Sequence, residues 1–247
     1  MTSMTLTELQ QTVTPTNITV YEPHEEVNRQ YRGVSVKALF NQVYGDKWLQ
    51  QEEVLFTALD GYQPSIPIDK FVKYDSNLVY KKPNTADFRL INRLQNNEDV
   101  ALGPFYLVWD NLTHPKVKSF GASLWPYQII NIDLIKFADR FSQIVPPEGS
   151  AKSVQRGFLL FREKCMTCHK INGQGGNKFK DLNYPVNVTE YLDDATLKQK
   201  LDDPASIIPS TTMPALSYEL KNREQAIDDI IAHLKVMANN KREPINP

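Results

Sequence analysis

The chain has 247 residues, 41% of them hydrophobic and 23% charged, and a formal net charge of −1 at pH 7. That length suits one large or two ordinary domains of globular composition. The near-neutral balance argues against nucleic acid or an anionic membrane as partner, and neither half is a charged tail, since residues 1–149 carry −3 and residues 150–247 carry +2.

No apolar run approaches the length of a membrane span. The N-terminus, Met1 to Thr7, lacks a basic segment followed by an apolar run, so it is not a signal peptide. Thr16–Tyr21 is β-branched and alternating, which predicts a strand. After Tyr31-Arg32-Gly33, the residues Val36, Leu39, Phe40 and Val43 fall at helical spacing, with Ser35 as a suitable N-cap. Gln51–Leu59 reads as a strand that ends in the turn pair Asp60-Gly61, and Tyr62–Ile68 resumes extended chain. A short amphipathic helix follows over Ile68–Tyr74. Further strands are expected at Leu78–Tyr80, Phe88–Ile91, Phe105–Trp109 and Gln128–Leu134. Strands dominate with small helices between them, which makes this half α+β.

Tyr31-Arg32-Gly33-Val34, the helix after it, Val54–Tyr62 and Ile66-Pro67-Ile68 together resemble the molybdopterin-binding domain of sulfite-oxidase-like proteins. Gly103-Pro104 leading into Phe105–Trp109 fits the same pattern, and the likeness runs from about Thr16 to Phe137. That family's enzymes hold molybdenum through a cysteine thiolate, and this half has no cysteine. The resemblance therefore implies a fold, without molybdenum. His24 and His114 each stand beside a proline in a polar loop and read as exposed residues that ligate nothing. Trp109, Trp125 and Tyr127 read as core and rim packing rather than as a relay.

Val145–Ser150, with two prolines and a glycine, is the candidate linker after a helix-like Ile135–Phe141. It divides the chain into an α+β domain over 1–145 and a second domain over 146–247. Ser150 or Ser153 can cap the next helix, which runs to about Lys164 and delivers Cys165-Met166-Thr167-Cys168-His169. This is C-x-x-C-H, the haem c attachment pattern. Two thiols at this spacing can face one edge of a haem and add to its vinyl groups, and the next residue supplies an axial nitrogen. Three rival readings fit less well. A thioredoxin-like C-x-x-C follows a strand and leaves the histidine without a role. A structural zinc site needs further ligands, but there is no third cysteine and the other histidines are scattered. A disulfide between cysteines three apart is strained.

Residues from Ser150 to Ala238 resemble a class I cytochrome c domain, an all-α fold. Gly157 and Phe161 match the small and aromatic residues of its N-terminal helix. Ile227, Ile230, Ile231 and Leu234 form one apolar stripe on its C-terminal helix. His233 stands where the family commonly has a tyrosine, and it is expected at the crossing of the two helices. Pro209–Leu216 matches the family's ligand loop, which implies Met213 as the sixth iron ligand opposite His169. Phe179-Lys180 replaces the family's Gly-Pro pair, so Lys180 would offer its carbonyl to the His169 ring without the stiffness of proline. Asn183-Tyr184-Pro185 is placed to reach a haem propionate.

The expected function is electron transfer by one covalent low-spin haem c per chain. Cys165 and Cys168 would anchor it, and His169 and Met213 would be the axial ligands. The first domain would be a scaffold or docking module for a redox partner protein. The alternative is an oxidoreductase whose first domain binds a cofactor or small substrate and passes electrons to the haem. Because that family's haem is attached outside the bacterial cytoplasm, the expected location is the periplasm, with a signal peptide or anchor missing and Met1 not native. No nucleic-acid partner and no membrane span are expected.

Overall fold

Alternating apolar side chains become strands because each strand buries one face against a common core. In the computed structural model, which describes residues 3–95 and 97–244, the chain forms two compact units. One comprises Met1–Asp60 and Pro64–Lys136, the other Gly61–Gln63 and Phe137–Pro247. Met1 itself, the subject of the expectation about a removed leader, lies outside the described residues. Among those described, no helix is long and apolar enough to cross a membrane.

The first unit is a mixture of sheets and short helices. Helix α1 (Leu6–Thr12) opens with a Thr5 capping box and precedes β1 (Thr16–Glu22) and β2 (Val27–Ser35). Then come α2 (Val36–Tyr44), β3 (Glu53–Ala58), β4 (Ser65–Pro67), α3 (Ile68–Lys73) and β5 (Ser76–Lys81). The hairpin of β6 (Arg89–Asn92) and β7 (Glu98–Ala101) leads to β8 (Tyr106–Trp109) and β9 (Ile129–Ile135). One antiparallel sheet has the order β1-β2-β5-β8, and another has the order β4-β3-β9. Ser35 caps α2 as its sequence suggests, accepting a hydrogen bond from the Ala38 N–H at 3.3 Å. Gly33 sits at a register shift between β2 and β5. A Cβ there would lie 2.5 Å from the Val79 Cα, so only glycine lets the two backbones come this close.

The core of this unit gathers Tyr31, Phe40, Trp48, Phe56, Phe71, Tyr106 and Trp109, all fully buried. Phe71 packs on Trp109 at 4.9 Å between ring centroids, and the Trp109 Nε1 donates to the Leu124 carbonyl at 2.8 Å. The tryptophans are packing residues, as expected.

The second unit is helical apart from a two-residue antiparallel pair. Its elements are α4 (Phe137–Arg140), α5 (Lys152–Lys164), β10 (Lys170–Ile171), β11 (Gln174–Gly175), α6 (Val188–Tyr191), α7 (Asp194–Asp202), α8 (Pro204–Ile207) and α9 (Arg223–Ala238). This unit takes up the chain at Phe137, earlier than the linker suggests. Phe137 packs at a tilt on Phe141 at 5.3 Å and on Phe158 at 6.1 Å, and the Arg162 guanidinium lies 3.6 Å from its ring centroid. Neither Ser150 nor Ser153 caps α5. Ala151 holds the N-cap position with no side-chain bond, and the Ser150 hydroxyl donates to the Pro147 carbonyl instead.

Candidate functional site

Helix α5 ends at Cys165, whose N–H still donates to the Phe161 carbonyl at 2.8 Å. The chain keeps turning. The N–H groups of Cys168 and His169 both donate to the Cys165 carbonyl, at 3.1 and 3.0 Å. This extra turn brings Cys165, Cys168 and His169 together, which is what residues three and four apart do on a helix. The two cysteines are not joined in a disulfide. Burial, with the neighbouring Cys168 adding to it, pushes the Cys165 thiol up to about 12, so Cys165 is a protonated thiol at neutral pH.

Burial holds His169 below the usual imidazole range. The Lys180 backbone pulls the other way, and nearby Lys200 adds to the lowering. A neutral imidazole is the form that ligates metal. Its Nδ1 is buried and has no partner within hydrogen-bond geometry, although the Lys180 backbone is near enough to favour the protonated ring. Phe179 stacks on the same ring at 5.4 Å and 30°. Glycines close the turn from behind. A Cβ on Gly176 would fall on the Thr167 carbonyl, and one on Gly175, where φ is +113°, would fall on that of His169.

A set of buried amides anchors the chain after this turn, and sequence reading missed it. The Asn183 Nδ2 donates to the Asn172 Oδ1 at 2.7 Å. The Asn187 Nδ2 donates to the Asn183 Oδ1 at 2.6 Å and to the Leu234 carbonyl of α9 at 2.9 Å. The Asn172 Nδ2 in turn donates to the carbonyls of Gln143 and Asn240. Asn183 is fully buried and its amide is used within this chain of bonds. Of the stretch Asn183-Tyr184-Pro185 expected to reach a propionate, Asn183 is thus turned inward, while Tyr184 is half-buried and Pro185 exposed.

Helices α5 and α9 cross at Gly157. A Cβ there would stand 1.8 Å from the Asp229 carbonyl oxygen and 3.0 Å from the His233 Cβ. Beside it, Arg156 forms a two-pronged ion pair with the buried Asp229, at 2.6 and 2.8 Å. His233 lies between Phe158 and Phe161, at 5.6 and 5.5 Å, with both ring nitrogens buried and unpartnered. It is a residue of the helix crossing, as its sequence position suggests. Burial lowers it to about 4, against roughly 6.5 in an unfolded chain. Between those two values the unfolded chain binds the extra proton. Stability should therefore fall as pH drops from about 6.5 to about 4, by roughly 3 kcal/mol, and this group adds no slope below that. His233→Phe should flatten the acid side of a stability-against-pH curve. An unchanged slope would show that another group carries it.

Met213 lies on the coil that follows α8, half-buried, with its N–H donating to the Thr211 hydroxyl at 3.1 Å. The far end of this loop is fastened. The Leu216 N–H donates to the Leu201 carbonyl at 2.9 Å, and Arg223 binds the Leu216 carbonyl and Asp202. Met166 and Met237 are both buried in the core of the unit.

The first unit contains a second cluster of titratable groups. Glu22, at the end of β1, is fully buried. It accepts hydrogen bonds from the hydroxyls of Tyr31 at 2.7 Å and Tyr106 at 2.9 Å, and the His24 Nδ1 lies 2.8 Å away. Burial and then the Glu22 charge raise both tyrosines. His24 is thus buried and hydrogen-bonded, which corrects its reading as an exposed loop residue. His114 fits that reading better, 3.4 Å from Asp75 near the surface. Among the described residues, no group of three or more His, Cys, Asp or Glu side chains is arranged to hold a metal ion.

Residues 154–238 match the family model described as Cytochrome c, and the match leaves the first unit outside it. No curated protein matches the chain. The residues present fit the group that this family carries, with two thiols and a neutral imidazole on one turn, an imidazole Nδ1 without a partner and a glycine-lined backbone behind them. The C-terminal unit is a cytochrome c domain, and that family implies covalently bound haem c and electron transfer.

Proposed function

We propose that the protein is an electron carrier with one covalently bound, low-spin haem c. Cys165 and Cys168 form the thioether links, His169 is the proximal ligand and Met213 the distal one. The observation that carries this reading is the convergence of both cysteines and His169 on one turn inside the segment that matches cytochrome c. The haem supplies a one-electron iron couple. The chain supplies an imidazole held neutral by burial, a thioether donor on a loop fastened at its far end, and a close-packed helix crossing in the same unit. A thioether on the sixth position favours reduced iron and leaves no open site for substrate.

In this reading the first unit is a scaffold or docking module for a redox partner protein, in the periplasm. Its sequence likeness to the sulfite-oxidase-like molybdopterin domain supports that fold without its metal, because the ligating cysteine is missing. A second reading is favoured by the buried Glu22–His24–Tyr31–Tyr106 hydrogen-bond cluster, in which burial and the Glu22 charge raise the two tyrosines, since such perturbed groups gather at functional sites. The first unit would then bind a cofactor or small substrate and pass electrons to the haem. Metal analysis of the purified holoprotein separates the two. The carrier contains about one iron per chain and no molybdenum; molybdenum approaching one per chain would favour the oxidoreductase.

A further inference from the structure

Chain outside the C-x-x-C-H turn also packs against the His169 ring. The segment 179–182 passes the His169 ring: Phe179 stacks on it at 5.4 Å between centroids, and the backbone of the next residue, Lys180, lies near enough to favour the protonated ring. Nothing in the local sequence of this segment stiffens it. Three sets of bonds do so instead. The Phe179 N–H donates to the Cys168 carbonyl at 3.2 Å, and the Leu182 N–H donates to the Lys170 carbonyl at 2.8 Å. Between them, the Asp181 carboxylate accepts four backbone N–H groups. Its Oδ1 takes those of Asn183 at 2.8 Å, Tyr184 at 2.9 Å and Asn172 at 3.3 Å, and its Oδ2 takes that of Gly173 at 2.6 Å. One side chain thus ties the glycine turn after the C-x-x-C-H motif to the segment that carries Lys180.

We infer that Asp181 is a positioning residue for the proximal ligand. By clamping both segments, it holds the Lys180 carbonyl where the His169 Nδ1–H can donate to it. Nδ1 is buried and finds no other acceptor, so this carbonyl is the partner its surroundings offer. The outer hydrogen bond of a ligating histidine fixes its ring and raises its basicity. A more basic ligand favours oxidised iron, so the clamp lowers the reduction potential. The inference rests on His169 being the proximal ligand.

The test uses the holoprotein. Asp181→Ala removes all four acceptors, and Asp181→Asn keeps one oxygen while presenting N–H groups to another N–H. Asp193→Ala is the control, because Asp193 caps α7 through the Thr196 N–H at 2.7 Å and takes no part in the clamp. Both Asp181 variants should shift the midpoint potential positive, with Asn the smaller shift. Both should also speed solvent exchange of the His169 Nδ1 proton in NMR spectra. The control should lose thermal stability with neither change. If Asp181→Ala does not mature, Asp181→Asn carries the test alone. An unmoved potential and an unchanged Nδ1–H exchange rate in a folded Asp181 variant would overturn the inference. Wild type without covalent haem would instead overturn the proposed function beneath it.

Discussion

Gly157→Ala should lower the stability of the cytochrome domain by about 3 kcal/mol or more, a large part of the total for a domain of this size. Glycine inside a helix normally costs about 1 kcal/mol relative to alanine, so on helix propensity alone the substitution should help. Packing reverses the sign. The added methyl would sit 1.8 Å from the Asp229 carbonyl oxygen, which belongs to backbone and cannot swing aside. The helices must therefore part by more than an ångström. That movement opens the contact of His233 with Phe158 and Phe161 and pulls on the Arg156–Asp229 pair. Chemical denaturation of the holoprotein, followed by helical circular dichroism, reads the effect as a lower midpoint. Leu159→Ala on the same helix alters a side chain that is 58% exposed and should leave the midpoint nearly unchanged. Equal midpoints for Gly157→Ala and wild type would mean that the crossing is looser than described.

Met213→Ala should abolish the weak near-infrared band that methionine-ligated oxidised haem shows, and its reduction potential should fall. A soft neutral thioether stabilises reduced iron, so its loss favours the oxidised state. The variant should become high-spin or recruit another ligand, and it should bind carbon monoxide or cyanide more tightly. It should remain folded, because the helix crossing and the cysteine turn do not depend on this loop. Met213→His should stay six-coordinate at lower potential. If Met213→Ala keeps both the band and the potential of wild type, the distal ligand is another residue, and a buried methionine such as Met237 would have to leave the core to serve.

What could be read from the sequence was local. The C-x-x-C-H pattern needs only five consecutive residues, and the cytochrome c match runs across it. Helix α9 covers the Arg223–Ala238 segment because its apolar stripe repeats at helical spacing. Helix α2 follows Ser35 because the cap and the stripe agree. What could not be read depends on distant partners. Strand β2 begins at Val27, but Asn28, Arg29 and Gln30 are exposed and show no alternation. Pro23 beside His24 suggests a surface turn, yet Tyr106, from a distant strand of the same unit, closes over it. Asp181 looks like any loop aspartate until the turn at Asn172-Gly173 folds back onto it. A run of polar residues does not reveal that Asn172, Asn183 and Asn187 bond to one another in the interior.

The whole reading stands on Cys165 and Cys168 fastening one haem to this chain. Intact mass spectrometry of protein matured in a cytochrome c-producing host, repeated after acid-acetone extraction, tests it most directly. The expected mass is that of the chain plus a single haem, unchanged by extraction, with loss of that added mass in the double variant Cys165→Ala, Cys168→Ala. A bare chain mass, or colour that passes into the organic phase, would contradict it.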